Sequence, residues 1–257
     1  MEKRNKANFI FLLWILILGC SFTSGATPTA LNDNARIKGF DSITFNAPGI
    51  LEIVQGETEA LEITGDPLIV SAIHAEVNKH KLEISTTFEI PTNASISYKL
   101  FVKNINSIIL DNFSVIKIPA LTAGELEMAI NGPGRIQAGK LEAQNLTVMM
   151  NGAGSFSADS IFATSTVISS IGAGNISIAG GNTDTLKLNL ESGSFLGEDF
   201  KSLSAAVTVN GTGTVFVWSV KKLNVTVNGA GRITYFGEPT MNMSMNGGGQ
   251  IMGGGLK

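Results

Sequence analysis

The sequence predicts an all-β protein that winds into a parallel β-solenoid with coils of about 18–20 residues. A short phrase, Asn-Gly-x-Gly, recurs along the chain, and apolar residues alternate with polar residues on both sides of it. The repeat is too short for a helical-hairpin unit, which needs about 33 residues or more. Period-two alternation indicates β-strands with one buried face.

The repeated phrase marks one corner of each coil. Five copies are complete, the copy at 171 begins with Ile instead of Asn, residues 191–194 read Glu-Ser-Gly-Ser, and residues 111–114 carry no glycine. Successive starts are 20 residues apart early in the chain and 18 apart near its end. The predicted structural turn residues are Asn131, Gly132, Gly134, Asn151, Gly152, Gly154, Gly172, Gly174, Asn210, Gly211, Gly213, Asn228, Gly229, Gly231, Asn246, Gly247 and Gly249.

The residues around each phrase show which face is buried. At offsets −5, −3, −1, +5 and +7 from the seven starts between 131 and 246, 31 of 35 residues are apolar. At the interleaved offsets −4, −2 and +6 only 6 of 21 are apolar. Each unit therefore reads as a strand, a turn, a second strand and a short connection, and stacked units bury the apolar columns. We expect Ile136, Phe156, Ile176 and Leu196 to stack in one column.

The residue types at the turns and the low content of charged residues both agree with stacked coils. Glycine permits a positive φ or a close approach to the coil above, and Asn tolerates the same region. In-register Asn side chains can form a hydrogen-bonded ladder along the corner. Only 15% of the residues are charged, and a stack of coils disfavours like charges one coil apart.

The start of the folded body is less regular than the repeats. A helix-like stretch is expected over 67–77, with a tight reversal at 78–80, and residues 37 to about 105 are interpreted as first coils plus a capping part. The other end shows no cap. We expect its edge either to pair with a second copy, giving a homo-oligomer, or to be shielded by a flexible tail. The early strands are predicted at 40–45, 50–54, 61–64 and 82–85.

The first residues read as an export signal. Basic residues precede an apolar run over 9–18 that is too short to span a bilayer. Residues 1–20 are predicted to be a lipoprotein-type signal peptide, with lipidation of Cys20, the single cysteine; ordinary cleavage after Ala26 is the alternative. Residues 21–36 read as a flexible tether and residues 37–257 as one domain. The expected location is the cell envelope, anchored in a membrane and facing the periplasm or the surface.

Composition argues against two broad classes. The net charge is −3, so the chain lacks the basic excess of a nucleic-acid binder. It is 44% apolar, which is too much for a disordered chain. A body without cysteine pairs must be held by packing and hydrogen bonds.

Catalytic and metal-binding groups are sparse. The only histidines are His74 and His80, whose spacing suits neither a helical face nor a zinc pair, so structural roles are expected. The turns lack the regular Asp of calcium-binding repeats, and no cofactor is predicted. The nearest acidic cluster is Glu191, Glu198 and Asp199, interpreted as solvated acids in an irregular coil, with a glycoside-cleaving pair as the alternative.

One aromatic pair stands out. Phe216 occupies an outward offset, and Trp218 lies just beyond the core column of the same coil. Outward aromatics on a flat sheet suit sugar stacking or protein contact. A corner that covers the core is the favoured interpretation, and ligand contact is the alternative.

The early strands and the turns resemble a bacterial family, the putative autotransporter adhesin, head GIN domain. The resemblance is carried by residues 40–43, 50–53 and 81–84 and by the Asn-Gly-x-Gly turns, over roughly residues 37–257. It implies a right-handed parallel β-helix, similar in architecture to pectin lyases but without their catalytic groups. It also implies a role in adhesion at the cell surface, and it brings no binding-site residues.

The sequence as a whole favours a non-catalytic binding or adhesion-like module of the cell envelope. Its expected partners are a membrane, through the lipid anchor, and a glycan or surface-protein ligand. A structural spacer and a carbohydrate-active enzyme are the alternative functions. A left-handed hexapeptide helix is the alternative architecture, since 18 is a multiple of six, but units of 20 residues fit it poorly.

Overall fold

A computed structural model describes residues 37–88 and 95–257 of the chain. The predicted signal peptide, Cys20 and the tether over 21–36 lie outside the described residues. Within the described ranges, no helix is long and apolar enough to cross a membrane. Among the residues described, one short helix, α1 (Pro67–Val70), accompanies seventeen strands in a single sheet system.

The strands are numbered in chain order. Their bounds are β1 (Ser42–Asn46), β2 (Ile50–Gln55), β3 (Ala60–Thr64), β4 (Ile73–Asn78), β5 (Lys81–Thr86), β6 (Ser97–Val102), β7 (Ser107–Leu110), β8 (Val115–Ile130), β9 (Arg135–Met150), β10 (Ser155–Ser170), β11 (Asn175–Ile178), β12 (Gly181–Leu190), β13 (Ser194–Val209), β14 (Thr214–Val227), β15 (Arg232–Phe236), β16 (Thr240–Met245) and β17 (Gln250–Gly253).

Strands from β7 onward pair in parallel with the equivalent strands of the next coil, which confirms the parallel β-solenoid; it has about seven turns. Phe156 pairs in register with Ile136 on one side and with Ile176 on the other. All three side chains are buried, as the alternation predicts. The continuous apolar columns form the core of the molecule.

The predicted short connection on the far side of each coil is wrong for the central coils. β8, β9 and β10 each run unbroken for 16 residues from one turn to the next. Their middle residues Leu121, Leu141 and Ile161 stack in register and are buried. The strands bend around this extra buried column while their pairing continues, so no separate loop forms.

The predicted position of Leu196 in the core column is also wrong. Phe195 pairs with Ile176 and is fully buried, whereas Leu196 is 39% exposed. The cause is the degenerate turn, which leaves three residues between β12 and β13 where the turn before β11 has four. Gly193, with φ of 85°, closes this shorter turn, and residues 195–197 lie on the face opposite to the predicted one.

The helix-like stretch predicted over 67–77 is wrong beyond Val70. Helix α1 is capped by the Asp66 side chain, which accepts a hydrogen bond from the Leu68 amide over 2.9 Å. Residues 73–78 instead form β4, which alternates half-buried and exposed residues and pairs antiparallel with β5. Lys79 and His80, both at positive φ, make the predicted reversal between these strands.

The first coils do not stack in chain order. Strand β1 lies between β5 and β7, and β2 lies between β6 and β8, so the coil of β5 and β6 stacks outside the coil that precedes it in sequence. The outer edges of β5 and β6 are covered by β4 and β3, both antiparallel. This end of the solenoid is closed by reversed strands.

The Asn-Gly-x-Gly turns lie one above another at a single corner. The Asn151 side-chain amide donates to Oδ1 of Asn131 over 2.8 Å, and Asn131 donates to Oδ1 of Asp111. The same contacts link Asn246, Asn228 and Asn210 near the other end. Backbone packing is close here, because a Cβ on Gly152 would lie 2.7 Å from the Gly132 carbonyl oxygen.

Candidate functional site

One outward row of the solenoid changes character along its length. In the early coils the row is polar, and from β13 onward it is mostly apolar and partly exposed. An outward surface has no folding requirement for apolar groups, so this change points to a contact surface. The in-register row reads Lys117, Gln137, Ser157, Ser177, Leu196, Phe216, Thr234 and Met252.

The change coincides with a step in coil length. Gly197 pairs with Val217, 20 residues later, but Ser204 pairs with Lys222, 18 residues later. Residues 198–200 have no partner in the next coil, which shortens the spacing by three residues, and a second register shift between Ser202 and Ser204 restores one. There Val217 is followed directly by Trp218, which pairs with Lys201. We call residues 198–200, which have no residue of the next coil stacked on them, the projecting corner. The shorter coil thus places the Trp218 side chain beside this corner.

Trp218 has an aromatic neighbour in the next coil. Phe236, the last residue of β15, pairs in register with Trp218, and Phe216 lies two residues before Trp218 on the same side of β14. All three rings are half-buried. We call this surface, defined by Leu196, Phe216, Trp218, Phe236 and Met252, the aromatic face.

Two lysines flank the aromatic face. The Nζ atom of Lys201 lies 5.6 Å from the centroid of the Trp218 ring, and that of Lys257 lies 5.1 Å from the centroid of Phe236. Lys257 also forms an ion pair of 2.6 Å with Asp199 in the projecting corner. Cation–π contacts at exposed sites contribute about 0.5–1 kcal/mol each. The lysines and the acid therefore fix the edges of the face without giving it a strong net charge.

Bare backbone packs close to the rings. A Cβ on Gly254 would lie 2.5 Å from the Phe236 ring, and one on Gly237 would lie 3.4 Å from Cδ1 of Trp218. Ser202, behind the face, donates from Oγ to the carbonyl oxygen of Trp218 over 2.7 Å. The Phe236 and Trp218 rings therefore lie against the backbone that follows β15 and β17, and a side chain of β13 holds the Trp218 carbonyl.

The acidic residues singled out in the sequence do not assemble into one cluster. Glu191 is exposed in the degenerate turn, and the strand segment 194–197 separates it from Glu198 and Asp199. Asp199 is paired with Lys257, and Oε2 of Glu198 is buried without a hydrogen-bond partner among the described residues. The described chain also holds no group of three acidic, histidine or cysteine side chains placed to bind a metal ion.

The two histidines lie far from the aromatic face, near the closed end. Nδ1 of His80 contacts the Gly39 carbonyl oxygen over 2.9 Å, and Nε2 of His74 contacts Glu76 over 3.3 Å. The first contact ties the β4–β5 reversal to the start of the folded body, and the second lies within β4. His74 lies opposite Ser85 in the β4–β5 pair, but among the described residues the ring nitrogens of the two histidines contact Gly39 and Glu76 and not the hydroxyl group that a triad requires.

The sequence pointed to Phe216 and Trp218 but missed the rest of the face. Leu196 falls in the core column only if the turn before it has four residues, and that turn has three. Phe236 and Met252 carried no repeat signal of their own, since they become neighbours of Trp218 only through strand register. Counting residues from Trp218 by the shorter 18-residue period would have found Phe236.

Three solved structures share this fold. A protein from Parabacteroides distasonis described as a putative lipid binding protein is 22% identical, with a TM-score of 0.79 over 89% of this chain and 97% of its own. A putative adhesin from Parabacteroides merdae is 17% identical, with a TM-score of 0.81 over the same shares. A putative adhesin from Bacteroides fragilis is 19% identical, with a TM-score of 0.68 over 89% of this chain and 97% of its own. At these levels of identity the three structures establish a common fold and do not identify a ligand for this chain.

A family model agrees with these structures. Among curated proteins, none matches the sequence. The family model described as "Putative auto-transporter adhesin, head GIN domain" matches residues 39–239, which include every coil from β1 to β15. The chain therefore belongs to the putative auto-transporter adhesin, head GIN domain family.

Proposed function

We propose that the chain is a non-catalytic, adhesion-like binding module of the cell envelope, held to a membrane by lipid on Cys20, and that it binds a glycan through the aromatic face. The observation that carries the proposal is the change of one outward row from Lys, Gln and Ser to Leu, Phe, Thr and Met where Trp218 and Phe236 emerge. Membership in an adhesin-like family supports a surface or envelope role.

The geometry of the face suits sugar rings. Trp218 and Phe236 lie one coil apart, about 4.8 Å, and Phe216 and Trp218 are two residues apart, about 6.6 Å. Aromatic rings at such intervals on a flat sheet form a platform for the apolar faces of sugars. Lys201 adds hydrogen-bond donors at the rim for hydroxyl or carboxylate oxygens.

Glycan binding is tested by screening the full chain carrying Cys20→Ser against immobilised pectic, alginate and host glycans. Binding to at least one class should be lost in Trp218→Ala and weakened in Phe236→Ala. Phe162→Ala is the matched control, because Phe162 is also an outward aromatic, 38% exposed, with Lys140 Nζ 5.5 Å from its ring centroid. Equal loss in the control, or no binding to any glycan, would leave the structural spacer as the better account.

The same screen tests the enzymatic alternative. Glu198 lies beside the aromatic face with a buried, unpartnered oxygen among the described residues, which is the one feature that favours glycan cleavage. Reducing ends or unsaturated products should not form. Turnover that is abolished by Glu198→Gln would replace binding with catalysis as the function.

Anchoring is tested separately in cells that export the chain. With lipid on Cys20, the protein fractionates with membranes, and Cys20→Ser releases it. If processing occurs after Ala26 instead, the substitution leaves fractionation unchanged and the mature chain begins at Thr27.

A further inference from the structure

The last coil ends the solenoid with two open strand edges. Strand β16 pairs only with β14, and β17 pairs only with β15, so one side of each lacks a partner among the described residues. Their inward residues continue the core columns, since Met243 pairs with Val225. Yet Met243 is 59% exposed, whereas Val225 is 2% exposed. The core therefore stops at an uncovered apolar end.

The two ends of the solenoid are built differently. The edge strands at the closed end, β3 and β4, are antiparallel to their neighbours and carry Glu62, His74 and Glu76. Charges and reversed strands are the usual protection of a sheet edge. The open end has neither, because residues 239–256 contain no charged side chain and four of the eight methionines of the chain.

The chain terminus does not shield this edge, contrary to one of the two sequence predictions. The Gly254 amide bonds to the Tyr235 carbonyl oxygen, and the Gly237 amide bonds to the Gly255 carbonyl oxygen. Lys257 then reaches Asp199. These contacts direct the terminus along the side of the solenoid, past Phe236, and leave Met243 and Met245 uncovered.

We propose that the open end binds a second copy of this chain, end to end, around a twofold axis through the turn at residues 246–249. A twofold axis that bisects this corner places β16 of each copy over β17 of the other, antiparallel. In one register Met245 lies opposite Ile251 of the partner, and Ser244 lies opposite Met252 of the partner. Both edges are then paired at once, and inward residues continue to face the common core.

Strand chemistry favours a second copy over a lipid surface. Unpaired N–H and C=O groups of a strand edge need hydrogen-bond partners, which acyl chains lack. The open edge carries no charge, so two copies can meet there without like-charge repulsion. The closed end carries Glu62 and Glu76 and is therefore a poorer match for the apolar open end. Methionine side chains adapt to such a junction and are enriched at protein interfaces.

Sedimentation of the full chain carrying Cys20→Ser tests the association. The chain should form dimers that dissociate on dilution, and Met243→Lys should weaken association about tenfold or more, because it places a charge in the buried junction. Ile171→Lys is the control, since Ile171 is also 59% exposed but lies in a central turn. Circular dichroism of each variant must retain the β spectrum. A monomeric parent chain, or equal effects of both variants, would overturn the proposal.

Cysteine pairing tests the register. Two variants are needed, one with Ser244→Cys and one with Met252→Cys. Both also lack Cys20, so each carries a single thiol. Mixed under oxidising conditions, they should form a mixed disulfide faster than either forms a disulfide with itself. Failure to cross-link preferentially would contradict the twofold arrangement. A monomer that binds phosphatidylglycerol vesicles and loses that binding in Met243→Lys would assign the edge to lipid and also overturn the proposal.

Discussion

The side-chain amide of Asn151 donates a hydrogen bond of 2.8 Å to Oδ1 of Asn131, 20 residues earlier in the chain. The ladder that this bond belongs to is interrupted at the next coil, where Ile171 occupies the equivalent place and is exposed. The bond adds side-chain pairing to a corner whose backbones are already close. It also allows a test with two substitutions, one expected to lower the free energy of unfolding and one expected to raise it.

Removing a rung should destabilise the protein, and adding one should stabilise it. Asn151→Ala loses one hydrogen bond, and we expect the free energy of unfolding to fall by about 0.5–1 kcal/mol. Ile171→Asn supplies an amide next to Oδ1 of Asn151 and removes an exposed apolar group, so we expect a comparable rise. Thermal unfolding followed by circular dichroism measures both. Shifts of the same sign would show that the ladder contributes nothing to stability.

The stacked columns should be far more sensitive than the outer surface. Phe156 and Phe162 both lie in β10, but Phe156 is 1% exposed and Phe162 is 38% exposed. Phe156→Ala leaves a cavity between Ile136 and Ile176 and should cost about 3–5 kcal/mol. Phe162→Ala should change stability by about 0.5 kcal/mol or less. Urea unfolding compares the two, and equal costs would contradict the assignment of faces.

Glycine is required at the corner but not at every strand position. Gly152→Ala places a Cβ 2.7 Å from the Gly132 carbonyl oxygen, and we expect a loss of about 1–3 kcal/mol. Gly124, in β8, has no atom within 4 Å of the equivalent Cβ position, so Gly124→Ala should be neutral or slightly stabilising. Melting temperatures that fall equally in both variants would argue against close packing of the turns.

Tyr98 makes stability depend on alkaline pH. Its ring is buried against Phe45, its hydroxyl has no hydrogen-bond partner among the described residues, and burial raises the pKa of Tyr98 above its usual range. In the unfolded chain the phenol ionises near pH 10, so the unfolded state loses its proton first and stability falls as the pH rises above about 10.

Replacing Tyr98 tests this account. Tyr98→Phe removes a buried unpaired hydroxyl and should raise the free energy of unfolding by about 1 kcal/mol at neutral pH. It should also reduce the loss of stability at alkaline pH. Tyr235→Phe, at a half-buried site near the open end, is the control and should keep the alkaline loss due to Tyr98. The same alkaline profile in both variants would contradict the account.

The strands of the repeats could be predicted because every coil contains the same alternation of apolar and polar residues. Ile136, Phe156 and Ile176 could be aligned by counting from the Asn-Gly-x-Gly turn, and the structure pairs them. Counting failed at Phe195, because the degenerate turn is one residue shorter than the others. A single-residue difference in a turn reverses which side chains face inward, and the alternation around Leu196 was not strong enough to reveal it.

The first coils were less predictable for a different reason. The stacking of β5 outside β1 is a long-range pairing that no local pattern encodes. Residues 73–77 follow a proline-started helix and were assigned to it, although pairing with β5 makes them a strand. The aromatic face was partly visible as Phe216 and Trp218, but Phe236 joins it only through the register of the next coil.

The fluorescence of Trp218 measures the central claim most directly. The chain has two tryptophans, and the other, Trp14, lies in the predicted signal peptide. In the processed chain, a glycan that binds the aromatic face should change the Trp218 emission saturably, with the same Kd that calorimetry gives. Binding by calorimetry with an unchanged emission spectrum, or with an affinity unaltered by Phe236→Ala, would show that the ligand is held elsewhere.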